Sequence, residues 1–199
     1  EEINAPNLEG FIYVPSINLY VAKERTLQGK NWYECHDELN KQNLQMPTIP
    51  EFIEFLKYLK TNPSDENTKI YNDITEVREP TRAEWLDADF KVINEKLHIN
   101  YNHRTVNGEL QPRNSELLED CLMENRTPGI DLDEWLKNPN KHGLPKPDIT
   151  KGDLYYWCPM SDNNSVAWFD ANSVRVVLYC SWDPRNLGSS LGVRPTQKI

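Results

Sequence analysis

An α+β fold, with helices set apart from a β-rich end, is what this 199-residue chain predicts. Three observations carry that class. Residues 11–22 form a stretch of β-branched and aromatic side chains that alternates weakly. Two amphipathic helix patterns follow between residues 31 and 60. After residue 153 come short strand-like runs separated by turn residues. The length suits one domain with a sizeable core.

The elements follow in order. "FIYVPSINLYVA" (11–22) reads as one or two strands broken near Pro15, which has no N–H for a ladder. "NWYECHDELNKQN" (31–43) puts Trp32, Cys35 and Leu39 on one helical face. "TIPEFIEFLKYLK" (48–60) is the clearest helix: Thr48 and Glu51 fit a capping box, Pro50 sits in the first turn, and Phe52, Phe55, Leu56 and Leu59 form the apolar stripe. Residues 61–80 read as polar turns. "TRAEWLDADFKVINEKL" (81–97) predicts a further helix, capped from Thr81 to Glu84, with Leu86, Phe90, Ile93 and Leu97 at helical spacing. Short helices are expected at 115–124 and at 131–138, the latter capped by Asp131 and Glu134. "NPNKHGLPKPDITKGD" (138–153), dense in Pro and Gly, is the best internal boundary. Beyond it, "LYYWC" (154–158), "SVAWF" (165–169), "VRVVLYC" (174–180) and "GVR" (192–194) read as short strands.

Charge and cysteine usage narrow the function classes. A net charge of -9 argues against nucleic acid, whose phosphates need a basic footprint. No apolar run reaches the length of a membrane span. No signal peptide is expected within the chain, and location is left open between the cytoplasm and a surface. Cys35, Cys121, Cys158 and Cys180 are too widely spaced for a zinc motif. They read as reduced, buried thiols, with a Cys158–Cys180 disulfide as the alternative. His36, His98, His103 and His142 are scattered and read as solvated or satisfied side chains, so no metal site and no cofactor is expected.

The stretch from Ser161 to Thr196 differs in character. It contains no Lys, Glu, Gln or Met, all of which occur before it. It carries Trp168, Trp182, Tyr179, Arg175, Arg185 and Arg194 among small Ser, Gly and Asn. Trp, Tyr and Arg dominate binding hot spots, and Lys and Glu are depleted from interface cores. That composition reads as a recognition surface. A β-rich segment that simply favours Val, Tyr and Trp is the other reading.

"SVAWFDANS", a Gly/Ser/Asn-rich run and the closing "LGVR" resemble the variable region of diversity-generating-retroelement variable proteins, most of all the archaeal branch. "GKNWYECHDELNKQNLQMPTIPEFIEFLK" is similar to the Trp, Cys and "LPTxxEW" helix pair of their C-type lectin fold, close to that of formylglycine-generating enzymes. The resemblance covers about residues 10–60 and 150–196. It implies one C-type lectin-like domain over 1–199, with a helical insertion at about 65–150 and a variable region at about 165–194. In that family an error-prone reverse transcriptase substitutes template adenines, so Asn codons (AAY) become NNY codons, which cannot encode Lys, Glu, Gln or Met. Arg AGG codons become NGG, which can encode Trp.

The positions the resemblance marks as diversified and ligand-binding are Trp168, Asp170, Asn172, Val174, Arg175, Val177, Tyr179, Ser181, Trp182, Asp183, Arg185, Asn186, Leu187 and Gly188. They are expected on one exposed, flat or concave patch. Ser165, Val166, Ala167, Phe169, Ala171, Cys180, Leu191, Gly192, Val193 and Arg194 read as fixed scaffold, with Phe169 and Leu191 in the core and Arg194 holding the C-terminal strand. Val176 and Leu178 stay ambiguous. The implied protein is a non-enzymatic, monomeric recognition protein with a protein ligand.

Two rival readings share the fold. A formylglycine-generating-type oxidase needs a close cysteine pair, for which Cys158 and Cys180 are the candidates. A calcium-dependent carbohydrate-binding lectin needs six or more oxygen ligands, and "SWDPRN" resembles only part of such a motif; a plain turn is the simpler account.

Overall fold

The computed structural model describes residues 8–199. β1 (Phe11–Val14) and β2 (Leu19–Ala22) pair antiparallel across a 3₁₀ turn at Pro15–Ile17, which Asn18 closes in the left-handed region at φ 49°. Helix α1 (Trp32–Lys41) starts at a capping box between Asn31 and Glu34 and buries Trp32, Cys35, His36 and Leu39. Helix α2 (Ile49–Thr61) starts at the Thr48–Glu51 capping box and buries Phe52, Phe55, Leu56 and Leu59.

From residue 61 the structure corrects the sequence reading. The polar stretch contains helix α3 (Asp65–Thr75), capped by Ser64. Its buried residues are Ile70 and Ile74, a stripe too thin to stand out among polar neighbours. The expected helix at 81–97 is a β-hairpin of β3 (Arg82–Ile93) and β4 (Lys96–Tyr101). Asn94 and Glu95 both have positive φ (50° and 65°), the conformation a two-residue hairpin turn requires. Leu86 and Phe90 are four apart, which mimics a helix. In the strand they share one face with Ala88, while Ala83 and Trp85 fill the other. Burial on both faces removes the polar alternation that marks a strand.

The middle region is not the helical insertion the sequence suggested. β5 (Arg104–Val106) and β6 (Glu109–Gln111) form a small hairpin. β7 (Asn114–Leu117) replaces the helix expected at 115–124, and β8 (Arg126–Ile130) follows. Helix α4 (Leu132–Lys137) lies where it was expected, with Asp131 accepting from the Glu134 N–H. The Pro/Gly-rich segment after it packs onto the core through Leu144 and Ile149.

The β-rich end is as the sequence indicated: β9 (Leu154–Trp157), β10 (Ser165–Ala171), β11 (Val176–Trp182) and β12 (Leu191–Gly192). A further strand, β13 (Thr196–Lys198), ends the chain. The main sheet runs β7-β4-β3-β10-β11-β9-β8, with β12 parallel to β3, and a smaller sheet runs β1-β2-β13. The class is α+β.

Alternate residues of β10 enter two apolar clusters. Ala167, Phe169 and Ala171 join the main core with Phe52, Phe55, Leu86, Phe90, Trp135 and Leu178. Val166 and Trp168 join a second cluster with Trp32, Cys35, Trp85, Leu191 and Val193. No helix among the described residues is long and apolar enough to cross a membrane.

Candidate functional site

The fourteen marked positions fall on the β10–β11 hairpin and the loop after it. Val174, Asp183, Arg185 and Leu187 are exposed. Asn172, Arg175, Tyr179, Ser181, Trp182, Asn186 and Gly188 are partly exposed. Trp168, Asp170 and Val177 are buried, which corrects the expectation that all point outward. The reason is position: β10, which carries Trp168 and Asp170, lies between β3 and β11 and is covered on both faces, so alternation along it separates two buried sides, and Val177 lies on β11, itself inside the sheet between β10 and β9. Val176 and Leu178, ambiguous in sequence, belong to the main core.

An aromatic wall organises the accessible part. Trp168 and Trp182 stack at 4.1 Å between ring centroids, Tyr179 meets Trp182 at 4.9 Å, and Trp157 stacks on Tyr179 at 6.0 Å. Behind them Trp85 packs on Trp168 at 5.5 Å. A β-bulge makes this possible. Val166 pairs with Trp182 but Trp168 with Tyr179, so β11 gains a residue and both rings reach the same side. The wall borders an open cleft of about 600 Å³, lined by Asn125, Trp157, Cys158, Met160, Tyr179, Ser181 and Trp182. The buried indole N–H groups of Trp157, Trp168 and Trp182 have no hydrogen-bond partner in the protein. An indole is a donor only, so this cluster has surplus donors and calls for acceptors.

Side-chain turns shape the rest of the surface. Asn172 Oδ1 accepts from the N–H groups of Val174 (2.9 Å) and Arg175 (3.1 Å), setting the hairpin turn. The Asp183 carboxylate accepts from the Arg185 N–H and guanidinium, and Asn186 Oδ1 accepts from the Gly188 N–H. Asp183 is thus occupied in forming a turn. Pro184 is buried, and its carbonyl accepts from Trp32 N–H at 2.9 Å, pinning the loop to the start of α1. Arg175 lies over the Tyr155 ring at 5.2 Å.

The framework residues are all buried. Arg194 donates Nε and Nη2 to Glu84 Oε1 (2.8 Å) and Oε2 (3.1 Å), and Nη1 to the carbonyls of Ala22 and Lys23. One guanidinium therefore joins the C-terminal segment to β2 and to the central strand β3. At Gly192 a Cβ would meet the Thr26 carbonyl at 2.8 Å, so that close approach needs glycine.

Sequence reasoning missed Trp157, Met160 and Asn125 on the cleft wall. They lie outside the compositionally odd stretch and reach the cleft through β8–β9 packing; only the aromatic run "YYWC" hinted at them. It also missed a cluster elsewhere. His36 and His103, read as scattered, meet at one buried carboxylate, Asp87. His103 Nδ1 lies 2.5 Å from Asp87 Oδ1, and the His103 backbone N–H donates to Oδ2 at 3.0 Å. Burial opposes the charge on Asp87, but His36 and the His103 hydrogen bonds outweigh it and hold the carboxyl below the usual carboxylate range. Burial lowers the His36 imidazole to about 4.

All four cysteines are free thiols. Burial pushes Cys35 up to about 12 and Cys121 up to about 11, and it raises Cys158 and Cys180 as well. Such thiols are poor nucleophiles near neutral pH. No family model, curated protein or solved structure matches the chain.

Proposed function

We propose that this chain is a recognition protein of the C-type lectin-like kind, whose C-terminal surface is diversified by a retroelement and binds a protein ligand as a monomer. The observation that carries the reading is the coincidence of three features in one stretch. Residues 165–194 lack Lys, Glu, Gln and Met, supply Tyr179 and Trp182 to the aromatic wall of an open cleft, and return to a fully buried framework at Leu191–Arg194. Aromatic rings on the cleft wall give a protein partner large contact area at low entropic cost. The raised thiols favour this reading over a cysteine-pair oxidase.

The test is a pair of NNY-codon libraries. One varies Val174, Tyr179, Ser181, Trp182, Arg185 and Leu187; the other varies Phe169 and Leu191. Each is scored for folded protein after heating. Most members of the first should survive and few of the second; equal losses would remove the display role. The gene's neighbourhood tests diversification separately. A near-identical repeat differing only at adenines, beside a reverse transcriptase gene, is the expected finding, and its absence would overturn the retroelement assignment.

A further inference from the structure

We propose that His36, Asp87 and His103 form a binding site for one transition-metal dication of the zinc type. The residues come from three separate segments: His36 from α1, Asp87 from β3, and His103 from the turn after β4. All three are buried, and one potential ligand atom from each lies within 4.8 Å of the others. His36 Nε2 is 3.6 Å from Asp87 Oδ1 and has no hydrogen-bond partner in the protein. Asp89 Oδ1, also buried without a partner, lies 3.9 Å from His103 Nε2.

A buried His36 nitrogen left unpaired 3.6 Å from the Asp87 carboxylate, in a cluster of three buried ligand-type side chains, forms an incomplete arrangement. A cation shared among them completes it. Two imidazoles and a carboxylate match borderline metals, whereas calcium and magnesium prefer all-oxygen sets. Bonds of about 2.0–2.2 Å in tetrahedral geometry place ligand atoms about 3.3 Å apart. The 3.6 Å separation of His36 from Asp87 is already close to that. His103 Nδ1 and Asp87 Oδ1 are 2.5 Å apart, within hydrogen-bond distance; a metal bound between them takes the place of that contact, and the two atoms open by just under about 1 Å. Asp89, on the Nε2 side of His103, is placed to orient that ring.

The site has a structural consequence. Trp32 sits edge-on to both imidazoles, at 4.3 Å from His36 and 4.9 Å from His103. It belongs to the apolar cluster that holds Trp85 and Trp168 behind the aromatic wall. The metal therefore fastens α1 to the central strand beneath the displayed surface. This inference rests on the His–Asp–His geometry alone and stands whatever the surface binds.

The experiment uses the full chain stripped with a chelator and titrated with Co²⁺, then with Zn²⁺. One equivalent of Co²⁺ should give the intense visible d–d bands of a tetrahedral nitrogen/oxygen site, which Zn²⁺ then displaces, and Zn²⁺ should raise the melting temperature. His36→Gln should weaken Zn²⁺ binding by more than about tenfold, while His98→Gln, outside the cluster, should leave it unchanged. A folded wild-type chain with no bands and no melting shift would overturn the site, as would undiminished binding by His36→Gln. If that variant does not fold, the wild-type Co²⁺ titration decides by itself.

Discussion

Phe169 and Trp168 are neighbours on β10, both buried, and they face opposite sides of the same strand. Phe169 is covered by Phe52 of α2 at 5.2 Å and Trp135 of α4 at 6.0 Å. Trp168 is covered by Trp85 on one side and, on the other, by Tyr179 and Trp182 from its own C-terminal stretch. Burial alone therefore does not distinguish the two sides. The source of the covering atoms does: capped helices hold one side, and partly exposed aromatic side chains close the other. A cavity under helices cannot collapse, whereas a gap beside an open cleft can refill with neighbouring rings or water.

The contrast can be broken or sharpened experimentally. The largest effects belong to the helix-covered side and to its lock. Phe169→Ala should cost about 3–5 kcal/mol in urea unfolding through a cavity that α2 and α4 cannot close. Glu84→Gln strips the buried Arg194 guanidinium of its bidentate partner and should cost about 3–5 kcal/mol. Trp168→Ala should cost less, about 2–3 kcal/mol, because Trp182 and Tyr179 can relax into the space. A loss equal to that of Phe169→Ala would erase the difference between the two sides. Trp182→Ser and Leu187→Ser should each change stability by less than about 1 kcal/mol, measured by the same melts.

The smallest effect is a pH dependence at Asp170. Burial raises its carboxyl above the ordinary value, against the Asn172 hydrogen bond and the Arg175 and Arg82 charges. The native state then binds more protons than the unfolded chain between the ordinary and the raised value. Stability contributed by this group falls as pH rises through that window, and the penalty is complete above it. Asp170→Asn keeps an acceptor for Asn172 and removes the penalty. It should therefore be more stable than wild type at neutral pH. The gain should vanish below the ordinary aspartate range, read as melting temperature against pH; a gain independent of pH would rule out the carboxyl as its source.

Much of this was legible in the chain itself. The Trp32–Cys35–Leu39 face, the Thr48–Glu51 capping box, the stripe Phe52–Phe55–Leu56–Leu59, and the short strands of the C-terminal end all depend on interactions between residues near in sequence. Arg194 could be expected to be an anchor, and three of the marked residues, Tyr179, Ser181 and Trp182, line a cleft. The errors cluster where a strand is buried on both faces. β3 read as a helix because Leu86 and Phe90 fit its spacing, and nothing local reveals that β4, β10 and β12 all pair with it.

Sequence by itself determined the α+β class, the positions of α1, α2 and α4 and the unusual composition of residues 161–196, because these follow from local hydrogen bonding, periodicity and residue choice. Only the tertiary structure decided that Trp168, Asp170 and Val177 lie inside, that Trp157 joins the wall, and that His36 and His103 share Asp87. Each of those facts joins segments far apart in the chain. Which face of a strand is covered, and which side chains meet, is set by sheet order and bulges, and local pattern does not encode those.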